Sequence, residues 1–349
     1  MPRLAFSAQK LGGFLGLWHV PTWTLGALTA ASRRGANGRD DYTAGWSFED
    51  HPVTIILPKF YHIRRALEES RVVCISAEQA AHQDIRPLRI GILNIMPMAE
   101  TYEYTILQPL GRSILQIEPV FIRLKSHAYK TSNWEHIRSA YFTFEDAMQP
   151  QPLDGLLLTG APVEELEFEQ VHYWEELAPI LLQARQQCAS TLGLCWGGMA
   201  LARILGIEKT IFDRKLFGVF KTKNIERHHP ITGDTDDTFW CPQSRHSGVN
   251  DSELEQQQLA GNVRLLAYAA ETGYTIFESS DRRFIMHLGH PEYEPERLVF
   301  EYARDRQLGH DDIDPPANLN LEKPLNTWRS HRNEFFSQWI KFVYENSCA

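Results

Sequence analysis

Regular alternation of apolar and polar stretches begins near Pro52. Residues 88–96 form an apolar run too short for a helix and preceded by Pro87, which predicts a buried strand. Residues 100–110 fit a helix, residues 117–124 a second strand, and residues 154–160 a third that runs into Gly160, Ala161 and Pro162. Over residues 164–187, Trp174, Leu177, Leu181 and Ala184 recur at spacings of three and four, the period of an amphipathic helix. Residues 191–194 make a short fourth strand, and residues 196–205 return to helix. Beyond Lys215 the pattern loosens. Residues 262–268, 275–278 and 283–288 read as later strands, and residues 294–307 and 330–344 as helices.

Strand and helix alternating in this way predict an α/β fold, a mostly parallel sheet with helices on both faces and right-handed crossovers. No repeat, low-complexity tract or Gly/Ser/Pro linker divides residues 51–349, so they read as a single α/β domain. Residues 1–50 read as a poorly ordered N-terminal extension. Residues 11–32 carry no formal charge, but Pro21, four glycines, His19, Trp18 and Trp23 break the run. A membrane span needs about 20 mostly apolar residues. Basic residues before Asp40 are a bias shared with organellar transit peptides, but the plain extension is the reading adopted. In open α/β sheets, sites form beyond the carboxyl ends of strands. Three places qualify: Gly160 to Pro162, Cys195, and His290.

Composition narrows the function classes. The chain has 349 residues, 43% hydrophobic and 23% charged, enough for an ordinary core. A net charge of −9 removes the bulk case for nucleic acid or an anionic membrane as partner, so an anionic ligand must be met by local positive groups. Five cysteines at wide spacing, without a CxxC pair, fit a reducing compartment, here the cytoplasm. The doublet His228-His229 has no matching cysteines, and no metal site is expected.

Gly193, Cys195 and Gly197 make a G-x-C-x-G motif between an apolar strand and a helical run, the cysteine form of a nucleophile elbow. The tight turn needs small neighbours and lifts the nucleophile above the sheet. The helix that follows favours negative charge on sulfur, and the Trp196 backbone N–H is placed to stabilise an oxyanion. His290 and Glu292, in H-P-E after a strand, supply an imidazole to assist the thiol and a carboxylate to orient the imidazole. A Cys195–His290–Glu292 triad for acyl transfer through a thioester is therefore the expected chemistry.

G-x-C-x-G followed by H-P-E resembles the class I glutamine amidotransferase superfamily. Within it, the chain resembles the homoserine O-acyltransferases of methionine biosynthesis (the succinyltransferase/acetyltransferase family). The likeness rests on residues 84–88, 93–97, 159–162, 191–196, 244–245, 289–293 and 328–331. It implies a flavodoxin-like three-layer fold and Cys195 as the acyl-thioester carrier. It also implies Lys215, Ser244 and Arg304 as substrate-binding residues, with Arg304 holding the amino-acid carboxylate. Glu164 matches the acyl-specificity position, where acetyl-transferring members carry Glu and succinyl-transferring members Gly. A carboxylate there would repel the far carboxylate of succinyl-CoA. The resemblance thus implies a homoserine O-acetyltransferase that uses acetyl-CoA as co-substrate and holds no tightly bound cofactor. Small-molecule substrates are its expected partners, and a homodimer is the one assembly entertained.

The chain departs from the family pattern at residues 98–104, where the family has lysines and then E-T-E-x-Q. Here the segment is one residue shorter and lacks lysine, which leaves serine open as acceptor. Succinyl-CoA as donor is the neighbouring alternative. A glutaminase serving a synthetase and a non-enzymatic module that kept the fold are the distant ones. The missing synthetase domain and residues 328–331 weigh against the first, and the intact Cys/His/Glu set against the second.

Overall fold

The computed structural model describes residues 54–149 and 151–347. The expected extension over residues 1–50 lies outside them, as does Cys348. Among the described residues, eleven strands make one sheet: β1 (Ile55–Ile56), β2 (Cys74–Ile75), β3 (Leu88–Leu93), β4 (Ile117–Ile122), β5 (Gly155–Leu158), β6 (Ser190–Leu194), β7 (Lys209–Asn224), β8 (Thr238–Val249), β9 (Val263–Ala269), β10 (Gly273–Ser279) and β11 (Phe284–His287). Their spatial order is β2-β1-β4-β3-β5-β6-β11-β10-β9-β7-β8. Every pairing from β2 to β11 is parallel, and the remaining four are antiparallel.

The central strands are apolar on both sides because both sides are covered. Alternate residues enter different cores: Ile90, Ile92, Leu157 and Leu192 one, and Leu93, Leu156 and Leu158 the other. The first core also takes Phe335, Trp339 and Val343 from the helix Arg329–Ser347, and Ile106 and Leu107 from the helix Ala99–Leu110. The second takes Leu177, Leu181 and Ala184 from the helix Trp174–Gln187, and Trp196 and Met199 from the helix Trp196–Ile204. This is the expected three-layer α/β arrangement.

Two expectations are corrected. The helix expected over residues 164–187 begins only at Trp174, after a single short turn at Phe168–Gln170. The apolar stripe that motivated it starts at Trp174, and Glu164 is engaged elsewhere. The looser region beyond Lys215 holds the longest strand pair, β7–β8. Its alternation is blurred because β7 is solvated along much of its length, shifts register between Ile211 and Leu216, and faces Pro242 on its partner.

Candidate active site

Strands β5, β6 and β11 are adjacent and parallel, so their carboxyl ends lie side by side. The three places expected from sequence therefore meet at one point. Cys195 follows β6 and caps the helix Trp196–Ile204. Its φ of 51° and ψ of −115° are strained for a residue with a side chain. A Cβ on Gly193 would lie 2.5 Å from the Gly197 carbonyl oxygen, and one on Gly197 would lie 2.6 Å from the Leu158 oxygen. Both glycines are thus required by close backbone approach, which explains G-x-C-x-G in space. The first N–H groups of a helix lack partners within it, and Trp196 provides the first.

His290 comes two residues after the Leu288 that follows β11, its backbone N–H donating to the Pro242 carbonyl at 2.9 Å. Gly160, after β5, marks the convergence: a Cβ there would sit 3.5 Å from both Cys195 Cβ and His290 Cε1. His290 Nδ1 lies 2.7 Å from Glu292 Oε1, with both side chains buried. Burial opposes a charged imidazole, but the Cys195 sulfur and the Glu292 carboxylate, each also hydrogen-bonded to it, hold His290 well above its ordinary value. The Tyr293 ring stacks on the imidazole at 4.0 Å and 16°.

Glu164 stands across from the sulfur, with Oε2 4.0 Å from Cys195 Sγ. Its other oxygen accepts the His246 backbone N–H at 2.9 Å, drawing the side chain in from β8. Glu164 keeps some solvent contact on one side. Loss of water around the rest pushes its carboxyl up to about 7, against the pull of the His246 N–H, His290, Lys215 and Arg245.

The other three expected residues form a second group. Lys215 Nζ lies 2.7 Å from Asp305 Oδ2, and Arg304 grips Asp305 Oδ1 through Nε at 2.9 Å and Nη2 at 2.6 Å. Ser244 Oγ donates to Glu301 Oε2 at 2.6 Å, and the same carboxylate takes Tyr293 O–H at 3.0 Å and Arg297 Nε at 3.0 Å. Asp305 and Glu301 lie on the helix Pro295–Gln307 one turn apart. Lys215 adds positive potential at Glu164, and Glu301 reaches His290 through Tyr293.

Sequence reasoning missed Tyr102, whose hydroxyl donates to Glu292 Oε1 at 2.5 Å inside the protein. The signal was the departure from the family pattern at residues 98–104, which contains it. Met98, at φ 52°, starts the helix that carries Tyr102. Asp305, Glu301 and His246 were also missed, because their roles consist of contacts with residues far away in sequence. His229 is engaged within the protein. Its Nδ1 accepts the Ile231 backbone N–H at 3.2 Å, and its Nε2 lies 2.9 Å from Glu278. The described cysteines Cys74, Cys188, Cys195 and Cys241 are free.

Comparison with known proteins completes the picture. A family model described as homoserine O-succinyltransferase matches residues 54–348. A homoserine O-acetyltransferase of Petrotoga mobilis is 38% identical over 300 residues, covering 84% of this chain and 96% of that one. A homoserine O-acetyltransferase of Bacillus cereus is 38% identical, covering 84% of this chain and 98% of its own. A glutamine amidotransferase crystal structure from Thermotoga maritima has 14% identity and a TM-score of 0.49, covering 74% of this chain and 99% of that chain. By the extent of the family match and the identity to these relatives, the chain belongs to the homoserine O-succinyltransferase family.

Proposed function

We propose that this protein is a homoserine O-acetyltransferase that works through an acyl-enzyme on Cys195, serving methionine biosynthesis in the cytoplasm. The observation that carries the chemistry is Cys195 at a strained helix start, beside the His290–Glu292 pair. The Cys195 thiolate attacks the thioester carbonyl of acetyl-CoA. Helix N–H groups led by Trp196 hold the oxyanion, and as the tetrahedral intermediate collapses the CoA sulfur takes the proton of the His290 imidazolium, so that CoA leaves as a free thiol and His290 is left neutral. One thioester replaces another, so little free energy is lost. Nε2 of His290 then takes the proton of the homoserine hydroxyl as its oxygen attacks the acyl-enzyme, and the Cys195 thiolate leaves. Glu292 keeps the ring in place, and two half-reactions give ping-pong kinetics.

Glu164 supports acetyl as the transferred group, since a longer acyl chain with a terminal carboxylate would extend beside its own. Arg304, Lys215 and Ser244 are the groups proposed to receive the amino acid, with Asp305 and Glu301 holding them in position. A second reading keeps the chemistry and takes serine as acceptor. Residues 98–104, shortened and without lysine, are the observation behind it.

The test is a donor-by-acceptor matrix: acetyl-CoA and succinyl-CoA against homoserine and serine, followed by release of free CoA. The expected maximum is acetyl-CoA with homoserine. Mass spectrometry after acetyl-CoA alone should find one acetyl group, on Cys195. A sequential mechanism without adduct, or label on another cysteine, would remove the proposal.

A further inference from the structure

Glu103 is fully buried, on the inner side of the helix Ala99–Leu110. A buried carboxylate is costly unless paired. Among the described residues its ion-pair partners are two histidines, without an arginine or lysine. His136 Nε2 lies 2.7 Å from Oε1, and His62 Nε2 lies 3.5 Å from Oε2. The histidines come from separate elements. His62 is in the turn before the helix Arg64–Glu69, and His136 is in the helix Trp134–Ala140. Their rings meet edge to face at 4.6 Å. The two imidazole nitrogens and a carboxylate oxygen all lie within 4.8 Å of one another. Tyr61 O–H donates to Glu103 Oε2 at 2.5 Å, the outer-sphere hydrogen bond that orients ligating carboxylates in metal sites. His62 is partly exposed, which opens a path from solvent, and the Glu100 carbonyl lies 3.1 Å from its Nε2.

We propose that His62, Glu103 and His136 form a binding site for a divalent first-row transition ion, zinc being the expected occupant. Two imidazoles and one carboxylate, with a position left for water or the Glu100 carbonyl, suit tetrahedral Zn²⁺. The ion replaces the mutual hydrogen bonds of the three side chains, and its charge answers the buried carboxylate. Its role is structural. It ties the helix that carries Glu103 and Tyr102 to two neighbouring segments, so occupancy braces the element whose Tyr102 reaches Glu292. This inference stands apart from the proposed substrate, because it concerns side chains outside the Cys195 group.

The experiment uses the full chain carrying Cys195→Ser, so that the site thiol does not compete for metal. After chelation and dialysis, zinc is added at increasing concentration. Binding is read by elemental analysis and by Tm, and Co²⁺ is used for its visible absorption bands. One equivalent should bind, with a rise in Tm and cobalt bands typical of tetrahedral coordination. His62→Ala, at the exposed ligand where folding is least at risk, and His136→Gln should each weaken binding by more than about 100-fold, since even outer-sphere changes cost 10–100-fold. Absence of a bound equivalent overturns the inference. So does an equivalent that persists in both variants, which would lie elsewhere.

Discussion

Replacing Glu164 with glycine should convert the acyl preference, and the geometry sets the scale. Glu164 Oε2 lies 4.0 Å from the sulfur that would carry the acyl group. The far carboxylate of a succinyl chain extends a few bonds beyond that sulfur, into the same neighbourhood. Two carboxylates about 4 Å apart repel by about 4 kcal/mol at an effective dielectric of about 20. Solvent contact at Glu164 screens part of this, but about 1.4 kcal/mol already gives tenfold discrimination. At about pH 9, where the Glu164 carboxyl is charged, Glu164→Gly should therefore raise kcat/KM for succinyl-CoA at least about tenfold and lower it for acetyl-CoA. Glu164→Gln removes the charge and keeps the bulk, separating repulsion from fit. Titration adds an independent check. With the carboxyl pushed up to about 7, it is neutral below that pH and charged above it. The succinyl-to-acetyl ratio in the unsubstituted enzyme should be level below about pH 7 and fall above it to a second plateau set by the repulsion, at least about tenfold lower. Taking the ratio cancels pH effects on the catalytic steps that both donors share. The assay is free-CoA release across pH 6–9. An unsubstituted enzyme that prefers succinyl-CoA, or a ratio indifferent to both substitutions and to pH, would refute the reasoning.

Three further outcomes are expected. Tyr102→Phe leaves a buried carboxylate oxygen one hydrogen bond short, a loss of about 1.5–3 kcal/mol; steady-state kinetics should show kcat reduced about tenfold or more with KM little changed, whereas a change in KM alone would make Tyr102 a binding or packing residue. His290→Ala should abolish nearly all turnover and Glu292→Gln most of it, and the double variant should lose little more than His290→Ala, because triad members act as a unit. Gly197→Ala would put a methyl 2.6 Å from the Leu158 oxygen and 2.7 Å from the Thr159 oxygen; overpacking of this kind costs about 1–3 kcal/mol, so thermal denaturation should show a Tm lower by several degrees, and an unchanged Tm would mean the elbow relaxes freely.

The local pattern carried the central sheet and the candidate reacting groups. Strands β3 to β6 are short and mainly apolar because both faces are largely buried, and such runs are legible without any knowledge of partners. The elbow was legible because its motif lies in five consecutive residues, although Gly197 is demanded by the backbone of Leu158 and Thr159 on the neighbouring strand end. His290 and Glu292 lie two residues apart, so their pairing was local as well. What the sequence left undecided is what depends on distant segments meeting. The β7–β8 pair is stabilised by its partner strand more than by its own alternation, and it brings His246 against Glu164, 82 residues away. Without that contact, Glu164 read equally well as the first turn of a helix. Tyr102 meets Glu292 across 190 residues, and Asp305 gathers Lys215 and Arg304 on one carboxylate. His62, Glu103 and His136 have no ligand spacing to read, because three different elements deliver them. Sequence alone marked Cys195, His290 and Glu292 as the candidate reacting groups, since local backbone geometry needs particular residues in a row. Tertiary structure decided how those groups are oriented, charged and braced, since burial and pairing exist only once remote parts of the chain have packed.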